Sequence, residues 1–273
     1  MHPLTVLTIA GSDSGGGAGL QADLRTFNAF EVHGTCALTA VTAQNTLSVS
    51  AVLALDPELV AAQVYAVTGD FDVRAVKTGM LAQRETVLRV AELAREGVLP
   101  QLVVDPVLVS STGHLLMSEG GVEAYREALL PRALVVTPNL REAAVLGDVD
   151  VGDVKNVDDM AALATALLAW GSTYVLVKGG HVDQGSAREH HSPDVLVSAE
   201  GLTVFDAPRV TTTNDHGTGC SLSAAICAGL GLGRPLPDAA RDAKSFVLAA
   251  LTSAASWHLG AGHGPIDHLG WNS

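Results

Sequence analysis

A glycine-rich turn near the carboxyl end of the chain places a cysteine at the predicted start of a helix. Gly217, Thr218, Gly219 and Cys220 stand before a run of small and apolar residues that predicts a helix ending near Leu230. Free backbone N–H groups at such a start, with the positive end of the helix dipole, form a site for a phosphate or a developing oxyanion. The same amides lower the pKa of a first-turn thiol, so Cys220 is expected to act as a general base or nucleophile. The alternative is a helix start with permissive glycines and a cysteine packed as a small apolar side chain.

A second glycine-rich segment, residues 11–19, follows the first apolar run and has four glycines within five residues. A dinucleotide-binding loop would need an acidic residue about twenty positions further on, and residues 32–55 contain neither Asp nor Glu. The phosphate-binding sequence G-K-[ST] is absent as well. We interpret the segment as a loop whose backbone approaches a flat ligand closely, with a simple tight turn as the alternative. Asp23, four residues after the loop, is expected to accept a hydrogen bond from a buried hydroxyl or amine, or to favour the helix start.

Charged residues follow three other apolar runs. Asp105 and Glu142 come after predicted strands and could hold a hydrated Mg²⁺ ion together. Asn139 and Glu142 also have the spacing of a helix capping pair, which is the simpler interpretation of those two. Lys178 ends a predicted strand where it could meet a phosphate, although a surface lysine would have the same pattern.

Two uncharged side chains are candidates for contacts with a heterocycle. Gln44 follows a segment of small residues, and its amide could recognise a ring by paired donor and acceptor bonds. Met80 could pack on an aromatic ring. Each alone is equally compatible with a place in the core or in a turn.

The elements that must position these residues alternate between short apolar runs and longer helical patterns. Several runs are apolar on both faces, as a parallel sheet covered by helices requires. The alternation predicts a doubly wound α/β fold with a mostly parallel central sheet and helices on both faces, and the absence of a linker predicts a single domain over residues 1–273. The predicted strands are Leu4–Ala10, Val52–Leu55, Ala75–Lys77, Leu102–Val104, Leu134–Thr137, Tyr174–Lys178, Val195–Val197 and Thr203–Phe205. The predicted helices are Gly19–Phe30, Pro57–Thr68, Arg84–Glu96, Gly121–Leu130, Leu140–Leu146, Asp158–Trp170, Gly219–Leu230 and Leu236–His258.

Charge and composition argue against several classes of protein. The net charge is −13, with Lys and Arg scattered, so binding to nucleic acid is not expected. No apolar run has the eighteen or so residues that a membrane span needs, and no Lys or Arg precedes the apolar N-terminal stretch. Three cysteines without a C-x-x-C pair suit a reducing compartment, so a cytoplasmic location is expected. The histidines lack zinc-ligand spacing.

Taken together, the motifs resemble those of hydroxymethylpyrimidine/phosphomethylpyrimidine kinases, which belong to the ribokinase superfamily. They occur in the order found in that family and cover nearly the whole chain. They are AGSDSGGGAGLQAD at 10–23, VTAQNT at 41–46, KTGML at 77–81, VDPV at 104–107, TPN with Glu142 from 137, VKGGH at 177–181, HGTGC at 216–220 and GHGP at 262–265.

The resemblance implies a ribokinase-like fold, ATP as co-substrate, Mg²⁺ and a homodimer. It implies two successive phosphorylations in thiamine biosynthesis, of 4-amino-5-hydroxymethyl-2-methylpyrimidine to its monophosphate and then to the diphosphate. In such kinases the amides of the Gly-Thr-Gly turn stabilise the transferring phosphoryl group, and the cysteine acts as base. The matching positions here are Gly217, Thr218, Gly219 and Cys220 for catalysis, Gly11, Ala18, Asp23, Gln44, Met80 and Val107 for the pyrimidine, Lys178 and Asn139 for the nucleotide, and Asp105 and Glu142 for magnesium.

Two departures from the family pattern and four rival interpretations accompany this prediction. Asp215 stands where the family carries Thr, which adds a negative charge near the predicted anion site, and residues 183–193 match no family motif. The nearest rival is a pyridoxal kinase with the same fold and chemistry. A Cys–His protease using His216 is disfavoured because that histidine is only four residues before Cys220. A nicotinamide oxidoreductase is disfavoured by the missing ribose-binding acid. The fourth rival, a catalytically silent ligand-binding protein, is disfavoured because Cys220, Asp105 and Glu142 are present together.

Overall fold

An eight-stranded sheet forms the centre of the fold. The computed structural model describes residues 2–108, 117–180 and 191–271. The strands are β1 (Thr5–Ala10), β2 (His33–Leu38), β3 (Ala40–Gln44), β4 (Val49–Ala54), β5 (Val73–Thr78), β6 (Val103–Val104), β7 (Val135–Val136), β8 (Tyr174–Lys178), β9 (Asp194–Ser198) and β10 (Gly201–Phe205). The order in the central sheet is β10-β9-β8-β7-β6-β5-β1-β2. In this order, the strands β8, β7, β6, β5, β1 and β2 are all parallel to one another, and β9 and β10 are antiparallel strands added at one edge. The predicted mostly parallel sheet is therefore confirmed.

Helices cover both faces of this sheet. They are α1 (Gly19–Ala29), α2 (Pro57–Thr68), α3 (Arg84–Arg95), α4 (Gly121–Ala124), α5 (Leu140–Gly147), α6 (Val157–Leu168), α7 (Thr218–Gly231) and α8 (Leu236–Ala254). Helix α4 runs on into a π-helical turn, Tyr125–Leu129, and a 3₁₀ turn, Leu130–Arg132. Within the described ranges, no helix is long and apolar enough to cross a membrane.

Two apolar cores lie on opposite faces of the sheet because successive strand residues point in opposite directions. Leu7 and Val104 belong to the core beneath α2, α3, α5 and α6. Their chain neighbours Val6 and Val103 belong to the core beneath α1, α7 and α8. Even the two-residue strand β6 therefore contributes to both cores, which explains why the predicted strands are apolar throughout.

The region between β1 and α2 differs from the prediction. The sequence predicted one strand there, Val52–Leu55, whereas the structure has β2 at the sheet edge and a separate antiparallel hairpin of β3 and β4. Strand β2 pairs only with β1, so its side chains stay largely half-exposed or exposed and lack the continuous apolar run of a central strand. Strand β3 alternates between buried and exposed residues, but its exposed positions are Val41 and Ala43, so no apolar alternation marks the strand in the sequence.

Candidate active site

The predicted site residues lie along one edge of the sheet. Gly11, Met80, Asp105 and Asn139 occupy the loops after β1, β5, β6 and β7, and Lys178 is the last residue of β8. Carboxyl ends of parallel strands share one edge, so these residues are neighbours despite their distance in the sequence. The Gly11 amide donates to the Met80 carbonyl oxygen at 3.1 Å. A Cβ at Gly11 would overlap the terminal methyl group of Met80, so the absence of a side chain at Gly11 leaves room for the Met80 side chain.

The predicted anion cradle is the amino end of α7, which begins at Thr218 after the N-cap residue Gly217. Gly217 has φ of 88°, and a Cβ there would overlap the carbonyl oxygen of Gly17 in the other glycine-rich loop. Gly217 has no side chain that could cap the helix, and no side-chain hydrogen bond does so. The first backbone N–H groups of α7 are therefore available to bind an anion. A Cβ at Gly219 would lie 3.0 Å from Lys178 Nζ, so a cation stands beside the same helix start.

Cys220 occupies the first turn of α7 and is half-buried. The sequence predicted a lowered thiol pKa, and this expectation is wrong. Burial raises the pKa of Cys220 to about 11; the Lys77 ammonium and the Gly19 amide oppose the rise, while the carboxylates of Asp23 and Asp105 add to it. The thiol is therefore protonated at neutral pH, because desolvation outweighs the favourable charges.

Asp23 lies beneath the glycine-rich loop in a fully buried ion pair. Lys77 Nζ is 2.6 Å from Asp23 Oδ1, and Thr8 Oγ1 donates to Asp23 Oδ2 at 2.6 Å. Burial disfavours the ammonium, but the charges of Asp23, Cys220 and Asp105 outweigh it and raise the pKa of Lys77. The Asp23 carboxylate thus has protein partners, and its predicted contact with substrate stays a prediction. Sequence reasoning assigned Lys77 no role, although a lysine ending a buried apolar strand was a usable signal.

Asp105, predicted to organise magnesium, is the centre of a buried polar cluster. Lys178 Nζ lies 2.9 Å from its Oδ1, and Thr137 Oγ1 donates to the same atom at 3.3 Å. Ser223 Oγ, on the second turn of α7, donates to Oδ2 at 3.0 Å. The predicted nucleotide lysine and the predicted metal carboxylate are therefore direct partners, and Ser223 links both to the cradle helix.

Glu142 and Asn139 form the capping box that the sequence suggested, with Asn139 N–H donating to Glu142 Oε2 at 2.8 Å and Glu142 N–H to Asn139 Oδ1 at 2.9 Å. Burial raises the pKa of Glu142 to about 7; Lys178 counteracts the rise and the nearby Asp105 adds to it. The Tyr125 hydroxyl is buried with no hydrogen-bond partner in the described part of the chain, and burial and the charges of Asp105 and Glu142 raise its pKa.

These features test whether the site fits Mg²⁺. Among the described residues, no group of three or more His, Cys, Asp or Glu side chains could hold a metal ion by itself. Mg²⁺ commonly keeps several waters and uses only one or two carboxylates together with substrate phosphates. Two buried carboxylates and the unpartnered Tyr125 hydroxyl fit such a hydrated ion.

Gln44 ends β3 and faces a histidine that sequence reasoning considered only for a protease. Gln44 Nε2 and His216 Nε2 are 3.3 Å apart, and His216 Nε2 is 2.9 Å from Asp13 Oδ2. No described hydrogen bond joins His216 to Cys220, so the structure offers no support for a Cys–His pair. The ordering role of Asp13 was missed because its three backbone partners are visible only in the folded loop.

The structure also locates most of the remaining predicted site residues and departures from the family pattern. Ala18 and Val107 are half-buried near this edge, as is Met80. Asp215, the unusual acid before the cradle, is exposed, and its Oδ1 lies 2.7 Å from His263 Nδ1. Of the unmatched segment, residues 183–190 lie outside the described ranges.

A parallel α/β sheet with an uncapped helix start, two lysines and two carboxylates at its carboxyl edge is the arrangement of a ribokinase-like small-molecule kinase. The phosphomethylpyrimidine kinase family matches residues 13–267, and the chain belongs to that family. A hydroxymethylpyrimidine/phosphomethylpyrimidine kinase from Rhizobium meliloti is 48% identical over 265 residues, with 96% of each chain covered.

Two solved structures are similar across most of the chain. A phosphomethylpyrimidine kinase from Clostridium difficile has a TM-score of 0.78 and 38% identity, covering 91% of this chain and 99% of that one. A pyridoxal kinase from Staphylococcus aureus, in complex with AMP-PCP and pyridoxal, has a TM-score of 0.87 and 33% identity, covering 100% of this chain and 96% of that one. The predicted ribokinase-like fold is thus confirmed.

Proposed function

We propose that this chain phosphorylates 4-amino-5-hydroxymethyl-2-methylpyrimidine with ATP, and then converts the monophosphate to the diphosphate, as a step in thiamine biosynthesis. The observation that carries the proposal is the placement of Cys220. It lies at the uncapped start of α7, within the electrostatic influence of Lys77 and Lys178 and in contact with the Gly19 amide. The glycine-rich loop, which is proposed to bind the substrate alcohol, and the phosphate cradle therefore meet at the Cys220 thiol.

In the transfer step, the substrate hydroxyl oxygen forms a bond to the γ-phosphorus of ATP, and the bond from that phosphorus to the leaving ADP oxygen breaks. The amides of Gly217, Thr218 and Gly219 stabilise the charge on the transferring group. The hydroxyl proton goes to the Cys220 thiolate. Since burial holds this thiol protonated, the base role requires the thiol pKa to fall on substrate binding, so that the thiol first releases its own proton to solvent. The Lys77 and Lys178 ammoniums are the groups that favour the resulting thiolate.

On the nucleotide side, Asp105 and Glu142 would hold hydrated Mg²⁺, which neutralises charge on the ATP phosphates. Lys178 supports the phosphates as a point charge beside the cradle, and Asn139 lies next to the same edge. Both carboxylates are already oriented, Asp105 by Lys178, Thr137 and Ser223, and Glu142 by the capping box.

The second candidate is a pyridoxal kinase, favoured by the likeness to the Staphylococcus aureus structure with its bound pyridoxal. Both functions are tested by one assay of ADP release with Mg-ATP, in which hydroxymethylpyrimidine and pyridoxine are offered separately and the products are identified by mass. A diphosphorylated pyrimidine is the expected product. Turnover of pyridoxine alone would replace the pyrimidine assignment with the vitamin B6 one.

We further propose that the chain acts as one kinase domain, in the cytoplasm, as a homodimer. The β3–β4 hairpin supports the dimer: a two-stranded sheet is marginally stable alone, and Val41, Val52 and Leu53 expose apolar surface on it. Light scattering coupled to size exclusion is expected to give a dimer for the native protein and a monomer for Leu53→Glu. A native monomer would refute this assembly.

A further inference from the structure

The carboxylate of Asp13 organises the glycine-rich loop from within. It is almost fully buried and accepts hydrogen bonds from the backbone N–H groups of Gly15 at 2.8 Å, Gly17 at 3.0 Å and Ala18 at 2.8 Å. Its fourth partner is His216 Nε2, at 2.9 Å from Oδ2. The His216 ring also packs against Gly17, where a Cβ would lie 2.5 Å from Cδ2 of the ring. One carboxylate thereby joins the loop after β1 to the residue just before the cradle.

The partners of Asp13 determine which nitrogen of His216 carries a proton. Burial alone would raise the pKa of Asp13, but the hydrogen bonds from His216, Ala18 and Gly15 outweigh it and lower the pKa. An ionised carboxylate can only accept, so the His216 Nε2 atom that faces it carries a hydrogen. A protonated ring nitrogen has no free lone pair, so His216 Nε2 cannot accept a hydrogen bond from the Gln44 amide.

Thr42 constrains the other side of Gln44. The Thr42 hydroxyl donates its single hydrogen to the Ser12 carbonyl oxygen at 2.7 Å. Its oxygen can therefore only accept a bond from the Gln44 amide, whose nearest atom lies 3.5 Å away. The two ends of an amide are distinguished by their partners, not by shape. In the structure Gln44 Nε2 lies 3.3 Å from His216 Nε2 and Gln44 Oε1 lies 3.5 Å from Thr42 Oγ1, so donor faces donor on one side and acceptor faces acceptor on the other. A donor at His216 and an acceptor at Thr42 favour the amide turned end for end, with its carbonyl oxygen towards His216 and its NH₂ group towards Thr42.

We propose that His216, held by Asp13, is a positioning residue that fixes the direction of the Gln44 amide and thereby the selectivity for an aminopyrimidine. The inference rests on the proposed function. A 4-aminopyrimidine presents an amine donor beside a ring-nitrogen acceptor, which an amide matches with its oxygen and its NH₂ group in one order only. Pyridoxine has no amine beside its ring nitrogen, so a fixed amide direction matters less for it. His216 acts through Gln44 and does not touch the reacting atoms.

The test compares the two substrates in a variant that lacks the donor. His216→Phe keeps a planar ring but removes Nε2–H. We expect the KM for hydroxymethylpyrimidine to rise about tenfold, with a much smaller change in kcat and in the KM for pyridoxine. His216→Gln, which retains an N–H donor, is expected to restore most of the selectivity. An equal rise of KM for both substrates in His216→Phe would overturn the proposal.

A double-variant cycle separates this role from general support of the loop. In a Gln44→Leu background, where no amide remains to be oriented, His216→Phe should have no further effect on the KM for the pyrimidine. A further rise there would show that His216 acts elsewhere. Thr42→Val removes the acceptor on the other side of the Gln44 amide and is expected to lower the selectivity for the pyrimidine over pyridoxine as well. This variant tests the proposal even if His216→Phe does not fold. Thr42→Val with unchanged selectivity would count against the proposal.

The native protein in the same assays keeps the two proposals distinct. Native enzyme that phosphorylates only pyridoxine would refute the proposed function itself. Native enzyme that phosphorylates the pyrimidine while the His216 variants keep native selectivity would refute only the positioning role. Thermal unfolding midpoints of all variants show whether each is folded under assay conditions.

Discussion

Two buried charge clusters lie beneath the site, and they differ in their balance. The pair Asp23–Lys77, beneath the glycine-rich loop, has one negative and one positive group, both fully buried. The Asp105 cluster, defined here as Asp105, Glu142 and Lys178, has two carboxylates and one ammonium. A buried pair with good geometry is neutral overall, whereas the second cluster has an excess acid. Burial raises the Glu142 pKa to about 7; Lys178 opposes the rise and the charge of Asp105 adds to it. On the proposed function, the first cluster would support the structure and the second would receive a cation.

The largest expected effect comes from breaking the balanced pair. Lys77→Met leaves the Asp23 carboxylate buried without a counter-charge, which should lower the free energy of unfolding by about 3–5 kcal/mol. The measurement is chemical denaturation. The double variant Asp23→Asn/Lys77→Met removes both charges and should recover most of the loss. A double variant as unstable as the sum of the single variants would show that the pair is not a neutral structural unit.

The next largest effect is expected on catalysis, from a substitution of Cys220, which lies between the two clusters. Cys220→Ala should lower kcat about 100-fold while leaving pyrimidine binding nearly intact, because it removes the proton acceptor. The matched control is Cys227→Ala, on the same helix but in the core, which should retain most of its activity. Steady-state kinetics of both variants provide the measurement. Ordinary turnover by Cys220→Ala would remove this thiol from the mechanism.

A smaller and pH-dependent effect is expected from the excess acid. The folded-state pKa of Glu142, about 7, is above the ordinary value of 4.5, so its contribution to stability is full below about pH 4.5 and is lost as pH rises to about 7. Glu142→Gln lacks this titration and keeps a capping-box residue. The unfolding midpoint of Glu142→Gln relative to the native protein should therefore be higher at pH 7.5 than at pH 5.

The same variant should require about tenfold more Mg²⁺ for half-maximal activity, because one of the two carboxylates offered to the ion is gone. Glu123→Gln, at an exposed position of α4, is the control and should change neither property. A Glu142→Gln protein with native Mg²⁺ dependence would contradict the interpretation of the Asp105 cluster as a cation site.

The smallest effect concerns Asp215. The sequence predicted an extra negative charge near the anion site, but the structure pairs Asp215 with His263 at the surface. Exposed pairs contribute little, so Asp215→Thr should change the KM for Mg-ATP by less than about twofold. A larger decrease in the KM for Mg-ATP would mean that the negative charge of Asp215 weakens phosphate binding at the cradle despite the contact with His263.

Much of this molecule could be predicted from local pattern. The helix that begins beside Cys220, the strand that ends just before Asp105 and the strand that ends at Lys178 follow from apolar periodicity and glycine placement, which need no knowledge of distant residues. Between β1 and α2 only β4 was partly predicted. Strands β2 and β3 were missed because neither has the continuous apolar run of a central strand.

The sequence by itself determined which chemical groups are present and, through the period of its apolar residues, the doubly wound fold that brings strand ends to one edge. Only the tertiary structure decided how those groups pair. Lys77 meets Asp23 across 54 residues, and His216 meets Asp13 across 203. The raised pKa of Cys220 likewise depends on burial by distant segments. Desolvation and charge pairing act through space, so they follow from the packed fold and not from neighbours along the chain.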